Sequence, residues 1–126
     1  MTKIHTPFPL EFEEQCNLIN WCHAHQDKRL RLIYSHTNGA RMARSVANKL
    51  KASGAKAGIP DLFLPIPSGE YHGLYIELKR VKGSSTSLIQ KKWLMLLLNQ
   101  GYQAVVCFGA EDAQAIITSY LASTNI

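Results

Sequence analysis

The chain has 126 residues, of which 46% are hydrophobic and 18% charged, with a formal net charge of +5. That balance suits one folded domain with its own core, spanning 1–126, and excludes a disordered chain. No apolar run approaches the roughly 20 residues that cross a bilayer, and the opening MTKIHTPFPLEFEEQ lacks the apolar stretch of a secretory signal, so a cytoplasmic protein without membrane contact is expected.

In chain order, Pro7 and Pro9 precede a helical pattern from Leu10 to His25, with Phe12, Cys16, Ile19 and Cys22 at helical spacing. Leu30–Tyr34 reads as a short strand, and His36-Thr37-Asn38-Gly39 as a turn. Arg41–Ser53 is expected to be a helix, with Met42, Val46 and Leu50 on one stripe and Gly54 ending it. Strands follow at Asp61–Leu64 and Leu74–Arg80, joined by a Pro-Ser-Gly loop as an antiparallel hairpin. Ser87 and Gln90 fit a capping box at the start of a helix that runs to Gln100. Its run Trp93–Leu98 is apolar almost all round, which predicts deep burial. Gln103–Phe108 is a strand, and Glu111–Leu121 a last helix with acids in its first turn. The order αβαββαβα describes an α/β fold with a mixed sheet flanked by helices.

The charges are unevenly distributed. Lys28 to Pro60 contains no acid but eight basic residues, and Leu78 to Ala110 is a second acid-free run. Two such stretches point to a nucleic-acid partner rather than to a solvated basic face. Cys16, Cys22 and Cys107 form no CxxC pair and are expected as buried, reduced thiols. With His23 and His25 they match no standard zinc spacing.

The stretch LYIELKR, Leu74–Arg80, sets Glu77 and Lys79 on one strand face and Leu74, Ile76 and Leu78 on the other. An ion pair on a solvated face would explain this, and so would a catalytic site. If the hairpin forms, Asp61 approaches Glu77. Two carboxylates can hold a hard divalent cation, with water and phosphate oxygens completing its shell. A lysine beside them can orient the attacking water or neutralise developing charge. Asp61, Glu77 and Lys79 thus form a minimal kit for phosphodiester hydrolysis.

Pro60-Asp61 followed by Glu77-Leu78-Lys79 resembles the PD-(D/E)xK nuclease signature. The flanking blocks AGIPDLFLP, YHGLYIELKR, SLIQKKW and NQGYQAVVCFG, with EFEEQ and HTNGARMARSVANKLKASGAKAG upstream, resemble the VRR-NUC branch of that superfamily, in its stand-alone phage and bacterial form. The resemblance implies a restriction-endonuclease-like fold and Mg2+ or Mn2+ as cofactor. Asp61, Glu77 and the Leu78 carbonyl would be metal ligands, and Lys79 the catalytic lysine. A first-helix glutamate, Glu11 or Glu14, would join the catalytic group, with Glu14 also a candidate ligand. Gln90 would bridge the site to the following helix, or serve only its capping box.

Asn38, Arg41, Arg44, Lys49, Lys56, Arg80 and Lys82 are the candidate contacts to DNA phosphates. The expected protein is a metal-dependent DNA endonuclease. As the resemblance implies, it would be a homodimer cutting branched or junction DNA in replication, recombination or repair in a bacterial or phage-infected cell. Flap, single-strand and site-specific duplex substrates are the alternatives within the fold. A non-catalytic nucleic-acid-binding module is the alternative outside enzymology.

Overall fold

The structure, a computed structural model, describes residues 10–36 and 43–123. The expected Thr37-Asn38-Gly39 turn, and Arg41 and Met42 of the expected helix, lie outside the described residues. The first helix, α1, spans Glu11–Ala24, with three acids in its first turn to suit the helix dipole. The stretch expected as a strand from Leu30 is instead a 3-10 helix, Lys28–Leu32, and only Tyr34–Ser35 pairs as β1. Asp27 causes the difference. Its carboxylate accepts from the Arg29 N–H and grips the Arg29 guanidinium at 2.7 Å, which winds the chain into a turn.

Helix α2, Arg44–Ala52, is followed by β2, Leu62–Leu64, and β3, Leu74–Lys79. Helix α3, Leu88–Asn99, leads into β4, Gln103–Phe108, and α4, Ala110–Ala122, ends the fold. The four strands lie in the order β1-β2-β3-β4, antiparallel except for the β3–β4 pair. The hairpin expected from the sequence is present, with Leu62 opposite Ile76.

One sheet face carries the core. Leu62, Leu64, Leu74, Ile76 and Leu78 are sealed against Leu18 and Cys22 of α1 and Ala113, Ile117 and Tyr120 of α4. Each such leucine contributes roughly 1.5–3 kcal/mol by leaving water. The other face of β3 carries Tyr75, Glu77 and Lys79. Helix α3 lies on this side, because Gln90 in its first turn meets both Glu77 and Lys79.

Deep burial of α3 does not occur: none of its residues is buried, and Met95 is 67% exposed. Within the described chain it packs chiefly on β4. Only Gln90, Trp93, Leu94 and Leu97 are sheltered, along one stripe. Of the thiols, Cys22 and Cys107 are buried as expected, whereas Cys16 is exposed.

Candidate active site

Glu77 is 2% exposed and Lys79 7%, so they are not a pair on a solvated face. Both sit on the central strand, between β2 and β4, under α3. Lys79 Nζ lies 3.6 Å from Glu77 Oε1. Gln90 ties them together: its Nε2 donates to Glu77 Oε1 at 2.7 Å, and its Oε1 accepts from Lys79 Nζ at 3.1 Å. The capping box holds Gln90 in turn. Its Oε1 accepts from the Ser87 N–H at 2.9 Å, and Ser87 Oγ accepts from the Gln90 N–H at 3.2 Å. The two roles read from the sequence therefore coexist in one side chain.

Asp61 directly precedes β2. Extending the β2–β3 register by one pair sets it opposite Glu77, and its Oδ2 accepts from the Leu78 N–H at 3.0 Å. On its other side the His36 N–H donates to the Asp61 carbonyl at 2.7 Å, while His36 Nδ1 lies 3.0 Å from the Pro60 carbonyl. His36 read from the sequence as turn chemistry alone. Its place beside Asp61 follows from β1 pairing with β2, a long-range contact with no local signal.

The electrostatics are those of crowded, sheltered carboxylates. Burial, and next the Asp61 carboxylate, push Glu77 up to about 8, against a smaller lowering by Lys79. Burial also raises Asp61, opposed by the Leu78 N–H, Glu77, Lys79 and His36. Glu11 is raised by partial burial and by Asp61, and lowered by Lys79 and Arg80. Those influences place Glu11 in the electrostatic neighbourhood of Asp61 and the end of β3.

Glu14 is engaged elsewhere. It is buried, and its Oε1 accepts from the Ala110 N–H at 3.3 Å, in the first turn of α4. A Cβ on Gly109, whose φ is 92°, would meet Glu14 Oε2 at 2.8 Å. Glu14 therefore joins α1 to the start of α4, while Asp61, Lys79 and Arg80 act on the Glu11 carboxyl. The sequence spacing offered both. The position of α4 separates them.

Of the candidate DNA contacts, Asn38 and Arg41 lie outside the described residues. Arg44 opens α2 and Lys49 lies in its last turn; both are exposed, as are Lys56 and Lys82. Arg80 follows Lys79 directly and donates to the Gly83 carbonyl at 2.8 Å, which orders the basic loop after β3.

A divalent cation fits the donor set. Glu77 Oε2 is buried and has no hydrogen-bond partner, and the β2–β3 register, extended by one pair, sets Asp61 opposite Glu77. Among the described residues no three His, Cys, Asp or Glu side chains converge into a complete metal cage. Two carboxylates can hold a hard cation when water and phosphate oxygens complete its shell.

Fold and site together define a class: a restriction-endonuclease-like α/β sheet with Asp, Glu and Lys on paired strands. The VRR-NUC domain model matches residues 2–111, and the chain belongs to that family. It is similar to a solved structure described as a VRR_NUC domain protein, with a TM-score of 0.80 and 30% identity over 98% of this chain and 93% of the other. No curated protein matches it. Membership makes the domain a nuclease of the PD-(D/E)xK superfamily, whose substrate is DNA and whose members generally use divalent metals. Among the described residues no helix is long and apolar enough to cross a membrane.

Proposed function

We propose that this protein is a magnesium- or manganese-dependent DNA endonuclease that acts as a homodimer on branched DNA, of the four-way-junction type, during replication, recombination or repair in the cytoplasm. The observation that carries the catalytic part is the buried Glu77–Lys79 pair beside the partly buried Asp61, with its orphaned Glu77 oxygen. Asp61, Glu77 and the Leu78 carbonyl would hold the metal, with Glu11 nearby. When bound, the metal stabilises charge on the phosphate and lowers the pKa of an attacking water.

The chain's own groups do the rest. The Lys79 ammonium, steadied by Gln90, donates hydrogen bonds that hold the water and offset charge on the phosphate oxygens. The water oxygen bonds to phosphorus and gives up a proton to solvent as the opposite P–O bond breaks and its oxygen takes up a proton. One diester and one water thus become a monoester and an alcohol. Burial of Glu77 and Lys79 beneath Gln90 keeps bulk water from loosening this geometry.

The dimer is supported by the apolar surface that the single chain leaves uncovered. Val46 on α2 and Leu88, Ile89, Met95, Leu96 and Leu98 on α3 are exposed, and neither helix contains a buried residue. Two such faces suit a two-fold contact, and a two-fold enzyme suits paired incisions in a two-fold junction.

The test is incubation with magnesium or manganese and a panel of duplex, flap and four-way-junction DNAs, together with sedimentation at several protein concentrations. Junction cleavage by a dimer is expected. Cleavage of duplex alone, or by a monomer, overturns the junction and dimer parts. Absence of any cleavage overturns the enzyme.

A further inference from the structure

The carboxylates are not alone on their side of the sheet. His36, Asp61 and Glu77 form one row across β1, β2 and β3. The next row on the same face is Tyr34–Phe63–Tyr75, in register across the same strands. Alternate residues of a strand share a face, so the two rows lie about 7 Å apart.

The rings touch. Tyr34 and Phe63 have centroids 5.8 Å apart, Phe63 and Tyr75 4.3 Å, and Tyr75 and Tyr102 5.3 Å. Tyr34 also meets His36 at 5.7 Å, which joins the aromatic row to the catalytic one. This explains Tyr75, which shares its strand face with Glu77 and Lys79 but has no part in metal chemistry.

Core packing alone does not account for the row. Its opposite face is sealed at Leu62, Leu64, Leu74 and Ile76, whereas Tyr34 is 50% exposed and Phe63, Tyr75 and Tyr102 are only half-buried. Aromatic rings on a sheet face are how unpaired nucleic acid is held, each ring stacking on the face of a base. In sequence, β1 belongs to the acid-free, basic segment Lys28–Pro60. A base inside a duplex already stacks on its neighbours and cannot offer its face to a tyrosine.

We infer that the Tyr34–Phe63–Tyr75 row is a stacking platform for an unpaired nucleobase of the strand held at Asp61 and Glu77, so that the site selects DNA with an unpaired nucleotide beside the scissile phosphate. The inference rests on the nuclease reading and adds the feature of DNA that the site recognises. Tyr34, at the exposed edge, makes the outermost contact. Phe63 and Tyr75 set its position.

Binding in calcium, without turnover, tests the platform separately from catalysis. The probes are a four-way junction with one extra, unpaired 2-aminopurine inserted at its branch point and a fully paired duplex of the same sequence. The wild type should change the fluorescence of the unpaired probe and prefer it to the duplex. Tyr34→Ala, with melting curves checking that it folds, should lose about 5- to 100-fold affinity for the unpaired probe and little for the duplex. Tyr34→Trp should retain the preference.

Equal losses on both probes, or no fluorescence change, overturn the platform. A shift of Tyr34→Ala from dimer to monomer does so too, because the row would then be a subunit contact. If the wild type shows the fluorescence change but never cleaves in magnesium or manganese, the nuclease reading fails and the platform stands. If junctions are cut and Tyr34→Ala behaves as wild type, the platform alone fails.

Discussion

Gln90 Nε2 donates to Glu77 Oε1 at 2.7 Å from the first turn of α3, while its own oxygen accepts from the Ser87 N–H that the helix start leaves unpaired. The same oxygen reaches Lys79 Nζ at 3.1 Å. One amide thus anchors a helix and aligns an acid and a base on the neighbouring strand. Residues that orient ligands in this way matter nearly as much as the ligands.

Gln90→Ala should therefore lower DNA cleavage about 10- to 100-fold. Ser87→Ala removes only the cap, costing about 1 kcal/mol of stability, and should leave the rate nearly intact. Thermal melts beside single-turnover rates check the pair. Equal effects of both variants on rate would mean that Gln90 acts only through the helix.

Glu11 and Glu14 should separate in opposite directions. Glu14→Ala leaves the Ala110 N–H without its acceptor and opens space beside Gly109, at a cost of about 1–3 kcal/mol in stability. Assayed well below its melting temperature, it should cut DNA at the wild-type rate. Glu11→Gln should melt no earlier than wild type yet lose about 10-fold or more in rate. The reverse pattern would assign the first-helix role to Glu14.

The pH dependence of the metal-free protein has a definite sign. Burial, then Asp61, lifts Glu77 from its ordinary 4.5 to about 8, so between those values the folded chain holds a proton the unfolded chain has released. This group's contribution to stability is full below pH 4.5 and is lost as pH rises toward 8. Melting temperatures in chelator should fall across that window, and Glu77→Gln should flatten the slope. Magnesium or manganese should counter the fall, because a cation favours the ionised carboxylate. A wild-type slope that matches Glu77→Gln would contradict the burial of Glu77.

Much of this arrangement was legible in the sequence because it is encoded locally. The Gly58-Ile59-Pro60 breaker, the alternation of Leu74–Lys79 and the Ser87–Gln90 box each specify their own element, and the β2–β3 hairpin follows. What failed to read depends on side-chain contacts, local or tertiary, that periodicity does not show. Leu30–Tyr34 looks like a strand until the Asp27–Arg29 pair winds it up. The apolar run of α3 looks like core, yet the described chain covers only one stripe of it. Helical spacing cannot separate Glu11 from Glu14, since only the approach of α4 decides which carboxylate is occupied. The Tyr34–Phe63–Tyr75 row is equally invisible, because three strands far apart in sequence must pair in register to build it.

The central claim is that Asp61, Glu77 and Lys79 cut DNA together, and single-turnover cleavage of a four-way junction in magnesium or manganese by Glu77→Gln and Lys79→Ala tests it most directly. The account predicts near-complete loss for Glu77→Gln and a loss of about 10²-fold or more for Lys79→Ala, with both variants folded and still binding the junction in calcium. Cleavage by Glu77→Gln at the wild-type rate would contradict it.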